Sequence, residues 1–79
     1  MPLKVFLSSS LRKYVSQYNP VEGIEFELED KSTVAEICRK INVPVEQIKV
    51  IMVNGRNAEF DFVLKGNERI GLFPSIGGG

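Results

Sequence analysis

Arg69-Ile70-Gly71-Leu72-Phe73-Pro74-Ser75-Ile76-Gly77-Gly78-Gly79 closes the chain, and its reading decides the fold. The first five residues alternate: Ile70 and Leu72 share one face, Gly71 and Phe73 the other, as in a strand. Proline has no N–H to give to a sheet ladder, so regular pairing is expected to stop at Pro74. Three glycines follow. Without Cβ they form the thinnest and most permissive peptide available. Extended, the stretch from Pro74 to Gly79 reaches roughly 20 Å. Such a tail enters a narrow channel that rejects side chains, and the group it would present there is the Gly79 α-carboxylate. Ordering three glycines costs about 3–6 kcal/mol, which suits a tail that docks and is released. A frayed terminus without a role is the plainer reading, and the rest of the chain has to be weighed against it.

Working back from that stretch, Asn54-Gly55 is a tight-turn signal. It follows the strand pattern Lys49-Val50-Ile51-Met52-Val53, in which Ile51 and Val53 share one face and Val50 and Met52 the other. Ala58–Leu64 is a weaker pattern, expected as a short edge strand and a turn through which Leu64 reaches the core. Lys65–Glu68 is expected as a loop in which Gly66 takes positive φ. Thr33-Val34-Ala35-Glu36 fits a capping box. Behind it, Val34, Ile37, Cys38 and Ile41 form one apolar helical stripe, with Asn42 placed to close the helix and Pro44 just beyond. Val43–Ile48 then reads as a connector with one helical turn. Ile24-Glu25-Phe26-Glu27-Leu28-Glu29 alternates cleanly, its glutamates on a solvated face rather than paired for acid–base work. Leu3–Ser8 alternates too, with Leu3, Val5 and Leu7 inward and Phe6 outward. Leu11–Val15 reads as a short helical turn, and Gln17–Gly23 as turn chemistry, with Tyr14 and Tyr18 covering an edge of the core.

The order β-β-α-β-(β)-β describes an α+β β-grasp: a mixed four- to five-stranded sheet with one main helix packed on one face. Its first and last strands are expected to pair in parallel at the centre. Residues 1–73 form the domain and 74–79 a flexible Gly-rich tail. With the helix on one face, the other carries Phe6, Val50, Met52, Gly71 and Phe73. An uncovered apolar patch at the root of the tail usually marks a partner surface, and methionine suits a surface that fits several partners.

Composition narrows the function. A chain of 79 residues buries only about 60–65% of its unfolded surface, so one small core is expected and no deep pocket. Ten basic residues balance ten acidic ones, so neither a nucleic-acid footprint nor a membrane-attracting charge is present. The apolar runs are too short for a membrane-spanning helix. Histidine is absent, and Cys38 is the only thiol. No metal-ligand spacing exists, and the usual neutral-pH base is missing, so the chain reads as a non-enzyme. Cys38 is either a nucleophile or a small buried hydrophobe; its place in the helical stripe favours burial. A lone cysteine and an N-terminus without a signal-peptide layout point to the cytoplasm.

Together, Val5-Phe6-Leu7, Leu11-Arg12, Ser32–Glu36, Val53-Asn54-Gly55-Arg56 and the ending Gly66–Gly79 resemble the ThiS/MoaD sulfur-carrier family, ubiquitin-like β-grasp proteins. Its members often have Gly-Asp where this chain has Gly66-Asn67, Pro-Pro in place of Pro74-Ser75, and a minimal ending of two glycines. The resemblance implies that an E1-like adenylyltransferase (ThiF/MoeB-like) uses ATP and Mg²⁺ to adenylate Gly79. A sulfur donor then displaces AMP to leave a thiocarboxylate. The sulfur passes to a precursor of a molybdopterin/tungstopterin-type cofactor or of thiamin, on a synthase large subunit or thiazole synthase. In that picture Gly77 and Gly78 thread, while Phe6, Val50, Met52, Phe73 and Pro74 dock. The alternatives are a ubiquitin-like protein modifier conjugated through the same glycine, and a non-covalent β-grasp interaction module.

Overall fold

Alternation sets the first strand: in β1 (Leu3–Leu7), Leu3, Val5 and Leu7 are buried, and Lys4 and Phe6 are half-buried. The computed structural model describes residues 2–28 and 30–75. After β1 come β2 (Ile24–Phe26), β3 (Ser32–Thr33), α1 (Val34–Lys40), β4 (Ile48–Val53), β5 (Arg56–Asn57), β6 (Val63–Leu64) and β7 (Arg69–Pro74). Short 3-10 segments cover Ser9–Tyr14 and Val45–Gln47. Five strands form a mixed sheet in the order β2-β1-β7-β4-β5, and β3 pairs with β6 in a separate ladder. β1 and β7 are parallel, as expected, while β2 and β4 flank them antiparallel. This is the ubiquitin-like β-grasp.

The register stacks the core in rows. Val5 pairs with Ile70 and Ile70 with Val53; Leu7 pairs with Leu72 and Leu72 with Ile51. All six are at most 5% exposed. Helix α1 adds Val34, Ile37 and Cys38 to the same cluster. Each such side chain contributes about 1.5–3 kcal/mol by leaving water. The helix is set at both ends by local chemistry. The Glu36 N–H donates to Thr33 Oγ1 at 3.2 Å, and the Thr33 N–H donates to Glu36 Oε1 at 2.8 Å, closing the capping box. At the far end Asn42 takes φ 66°. Its N–H reaches the Arg39 carbonyl (3.2 Å), and the Val43 N–H reaches that of Cys38 (3.0 Å), a Schellman closure.

Three segments differ from expectation. β2 stops at Phe26, because Phe26 lies opposite Leu3, the first residue of β1, and Leu28 has no strand partner. Ile24, Phe26 and Leu28 are consequently only partly buried. The edge strand after Asn54-Gly55 is Arg56–Asn57, returned at once by two residues at φ 52° and 81°. The chain then leaves the sheet. The carbonyls of Phe62 and Phe60 accept from the Val34 and Ala35 N–H groups (3.0 Å each), so this segment satisfies the otherwise unpaired donors of the helix start. Leu64 is fully buried, as expected. The third difference is Ile48, expected in a connector but buried at the start of β4. A register shift between Ile48 and Val50 puts alternation out of phase there, so Ile48 and Ile51 both face inward.

The loop after β1 replaces a missing strand. Ser8 and Lys4 give their N–H groups to the β7 side, so the N–H and C=O of Leu7 point to the β2 side. Pairing with β2 ends at Val5. Instead, the Leu7 N–H donates to Tyr18 Oη (2.8 Å) and the Leu7 carbonyl accepts from Arg12 Nε (2.9 Å). The Arg12 guanidinium also lies 5.7 Å from the Tyr18 ring centre. Leu11, in the same loop, is fully buried. Tyr18→Phe leaves the Leu7 donor without this partner and is expected to lower stability by about 1 kcal/mol in urea unfolding.

Glu68 is the buried charged residue, 7% exposed. Its carboxylate accepts from the N–H groups of Lys65 (2.9 Å), Gly66 (2.9 Å) and Asn67 (3.1 Å), gathered by Gly66 at φ 129°. Burial acts most strongly on this carboxyl and pushes its pKa up; the N–H groups together pull it down further, so the net shift is downward. A carboxyl lowered in the folded state stabilises the fold fully above the ordinary glutamate range and loses that contribution as pH falls through the lowered value. Glu68→Gln is therefore expected to flatten the acid limb of the stability–pH curve, measured by urea midpoints from neutral pH downward.

Candidate functional site

The same register that buries one sheet face composes the other. Phe6 lies opposite Gly71 and Gly71 opposite Met52; in the next row Val50 lies opposite Phe73. Val50 and Phe73 are 42% and 38% exposed, and Phe6 and Met52 are half-buried. A Cβ placed on Gly71 would sit 3.2 Å from Phe73 Cε1 and 3.9 Å from Met52 Cβ. The Phe73 ring therefore leans across Gly71, and a side chain there would push it aside. Beside it a shallow recess is lined by Phe6, Met52, Gly71, Asn54 and Arg69, among others. The structure thus brings Phe6, Val50, Met52 and Phe73 onto one apolar surface.

That surface runs to the end of β7. The Ser8 N–H holds the Leu72 carbonyl at 3.1 Å, pinning β7 on its β1 side. On the other side the strand continues one residue past its expected end, with Pro74 opposite Ile48. Proline lacks only the donor, and regular pairing is lost at this point through the shift between Ile48 and Val50. Gly77, Gly78 and Gly79 lie outside the described residues.

Arg69 belongs to this face and was not among the expected site residues. Two positions before Gly71 on an alternating strand, it shares that face by period alone. Its guanidinium lies 4.8 Å from the Phe6 ring centre. Its backbone is tied to the turn: the Arg69 N–H donates to Asn54 Oδ1 (2.9 Å), and the Asn54 N–H donates to the Arg69 carbonyl (2.8 Å).

Among the described residues no three potential metal ligands cluster, and no helix is long and apolar enough to cross a membrane. Cys38 is fully buried; burial pushes its thiol up to about 11, against a smaller lowering by Arg39. The thiolate is the reactive form. Cys38 should therefore resist a disulfide-exchange reagent at neutral pH in the native protein and react only at the rate of unfolding, followed by absorbance with and without urea.

The model of the ThiS family matches residues 13–79. The crystal structure of SAMP1 from Haloferax volcanii superposes with a TM-score of 0.70 over 100% of this chain and 100% of that one, at 13% identity, a likeness that shows the fold. No curated protein matches the chain in sequence.

Proposed function

Because the chain belongs to the ThiS family, we propose that it is a carrier whose Gly79 carboxylate is activated and loaded with sulfur by partner enzymes. The observation that carries this reading is the extent of the family match, which takes in the whole Gly77-Gly78-Gly79 run. The exposed apolar face at the base of that run supports it.

A carboxylate is a poor electrophile, since its charge is delocalised and it has no good leaving group. In the proposed cycle an E1-like adenylyltransferase, using ATP and Mg²⁺, joins the Gly79 carboxylate to AMP and releases pyrophosphate. A sulfur donor then displaces AMP, and the resulting thiocarboxylate is nucleophilic enough to give its sulfur to a precursor held by a synthase. This chain contributes position and chemical silence. Phe6, Val50, Met52, Phe73 and Pro74 dock the body, Gly77 and Gly78 let the tail thread, and a buried, protonated Cys38 does not divert the acyl group. The acceptor is proposed as a sulfur-containing cofactor precursor of the molybdopterin/tungstopterin or thiamin type.

The test is intact-mass measurement after incubation with ATP, Mg²⁺, a sulfur donor and the ThiF/MoeB-like enzyme of the same organism. The expected result is a shift of one oxygen-to-sulfur exchange, absent when Gly78 and Gly79 are deleted. An unchanged mass alongside an activating enzyme that loads another carrier would overturn the proposal. Covalent ladders that survive reducing agent would instead assign the activated glycine to protein modification.

A further inference from the structure

Arg69 faces a like charge across the sheet. It lies directly opposite Lys4 on the open face, in the parallel β1–β7 pair. Like charges in register on one face are unfavourable. Lys4 is offset by Glu25 and Glu22, at 3.8 and 3.9 Å. Arg69 makes neither an ion pair nor a side-chain hydrogen bond among the described residues. Its guanidinium carbon lies over the Phe6 ring, 4.8 Å from the centre. Among the described residues, the N–H donors of that guanidinium are therefore unspent, and Arg69 lines the apolar recess.

We propose that Arg69 is a recognition residue: the activating enzyme's docking surface offers an apolar side chain to the Phe6–Gly71–Met52 recess and, beside it, a carboxylate to the Arg69 guanidinium. The inference rests on the carrier reading above and specifies the partner's chemistry. Charge complementarity selects the occupant. A purely apolar partner would bury an unpaired guanidinium, and the acids that a second copy could bring, Glu22 and Glu25, are already held by its own Lys4. The geometry adds a distance. Arg69 and Pro74 are the two ends of β7, so the partner's acid lies roughly 17 Å from the point where the tail enters its channel. Arginine suits this place better than lysine, because one planar group can both stack on an aromatic ring and meet a carboxylate in two parallel hydrogen bonds.

The experiment measures ATP-dependent activation by the cognate enzyme as a function of carrier concentration, for the wild type and for Arg69→Glu, Arg69→Lys and Phe73→Ala. Arg69→Glu is expected to raise KM about tenfold or more with kcat unchanged, and the difference is expected to shrink as salt is added. Arg69→Lys should fall between. Because a glutamate at 69 would face Lys4 while giving up the contact with Phe6, the urea midpoint of Arg69→Glu is expected close to that of wild type, so weaker docking is not weaker folding. Reversing the matching acid on the enzyme to arginine should restore the KM of Arg69→Glu. A wild-type KM for Arg69→Glu, with KM raised by Phe73→Ala, would keep the docking face and overturn the role of Arg69. An Arg69→Glu variant that loses stability, with no rescue by the reversed enzyme, would make the residue a cover for Phe6 and overturn the proposal equally. A wild-type chain that is not activated at all would remove the carrier reading and this inference with it.

Discussion

The parallel pairing of β1 with β7 holds the rest of the molecule in place. A parallel pair cannot be closed by a hairpin; it needs a crossover long enough to return the chain. Here the crossover contains everything between Leu7 and Arg69, including the helix. Once Val5 is opposite Ile70 and Leu7 opposite Leu72, every neighbour on those strands is assigned a side. Leu3, Val5, Leu7, Ile70 and Leu72 go under the helix; Lys4, Phe6, Arg69, Gly71 and Phe73 go to the open face. A slip of one residue would exchange the two sets, burying Lys4 and Arg69 and exposing the core rows.

The pairing also explains how a chain this small divides its labour. One face is filled by α1, with Leu11, Val43 and Leu64 closing its margins. The other is left to strand residues alone. Gly71 is the hinge of that arrangement, since its missing side chain lets Phe73 lie across the strand and Met52 and Phe6 approach from either side. The surface at the end of β7 is therefore a by-product of the core's register, with only a shallow recess beside the Asn54-Gly55 turn.

Where the sequence carried a period or a cap, it could be read. The stripe of Val34, Ile37 and Cys38, the Thr33–Glu36 box, the Asn42 closure and the rows through Ile70 and Leu72 all followed from spacing. The apolar surface of Phe6, Val50, Met52 and Phe73 followed from the same alternation, read on its other phase. What stayed hidden had no period. Leu11 is one apolar residue in a polar run. Ile48 is inward only because a bulge resets the phase. Glu68 looks like any loop acid until Gly66 turns three N–H groups onto it. Phe60 and Phe62 read as strand because nothing local says that their carbonyls serve a helix nearly thirty residues earlier in the chain. Arg69 was legible by position, yet that it faces a like charge becomes visible only once Lys4 is known to be its neighbour.

The shift between Ile48 and Val50 has a mechanical side. It lies against Phe73 and Pro74, at the end of β7, while the opposite flank of the strand is secured at Leu72 by Ser8. A pull directed along the chain from beyond Pro74 meets an already irregular ladder on one side and a firm bond on the other. Freeing Pro74 and then Phe73 would add about 3.3 Å of leash per residue while Leu72 stays in the core. The irregular ladder thus places the weakest backbone pairing of β7 next to its last residues and the buried rows behind it.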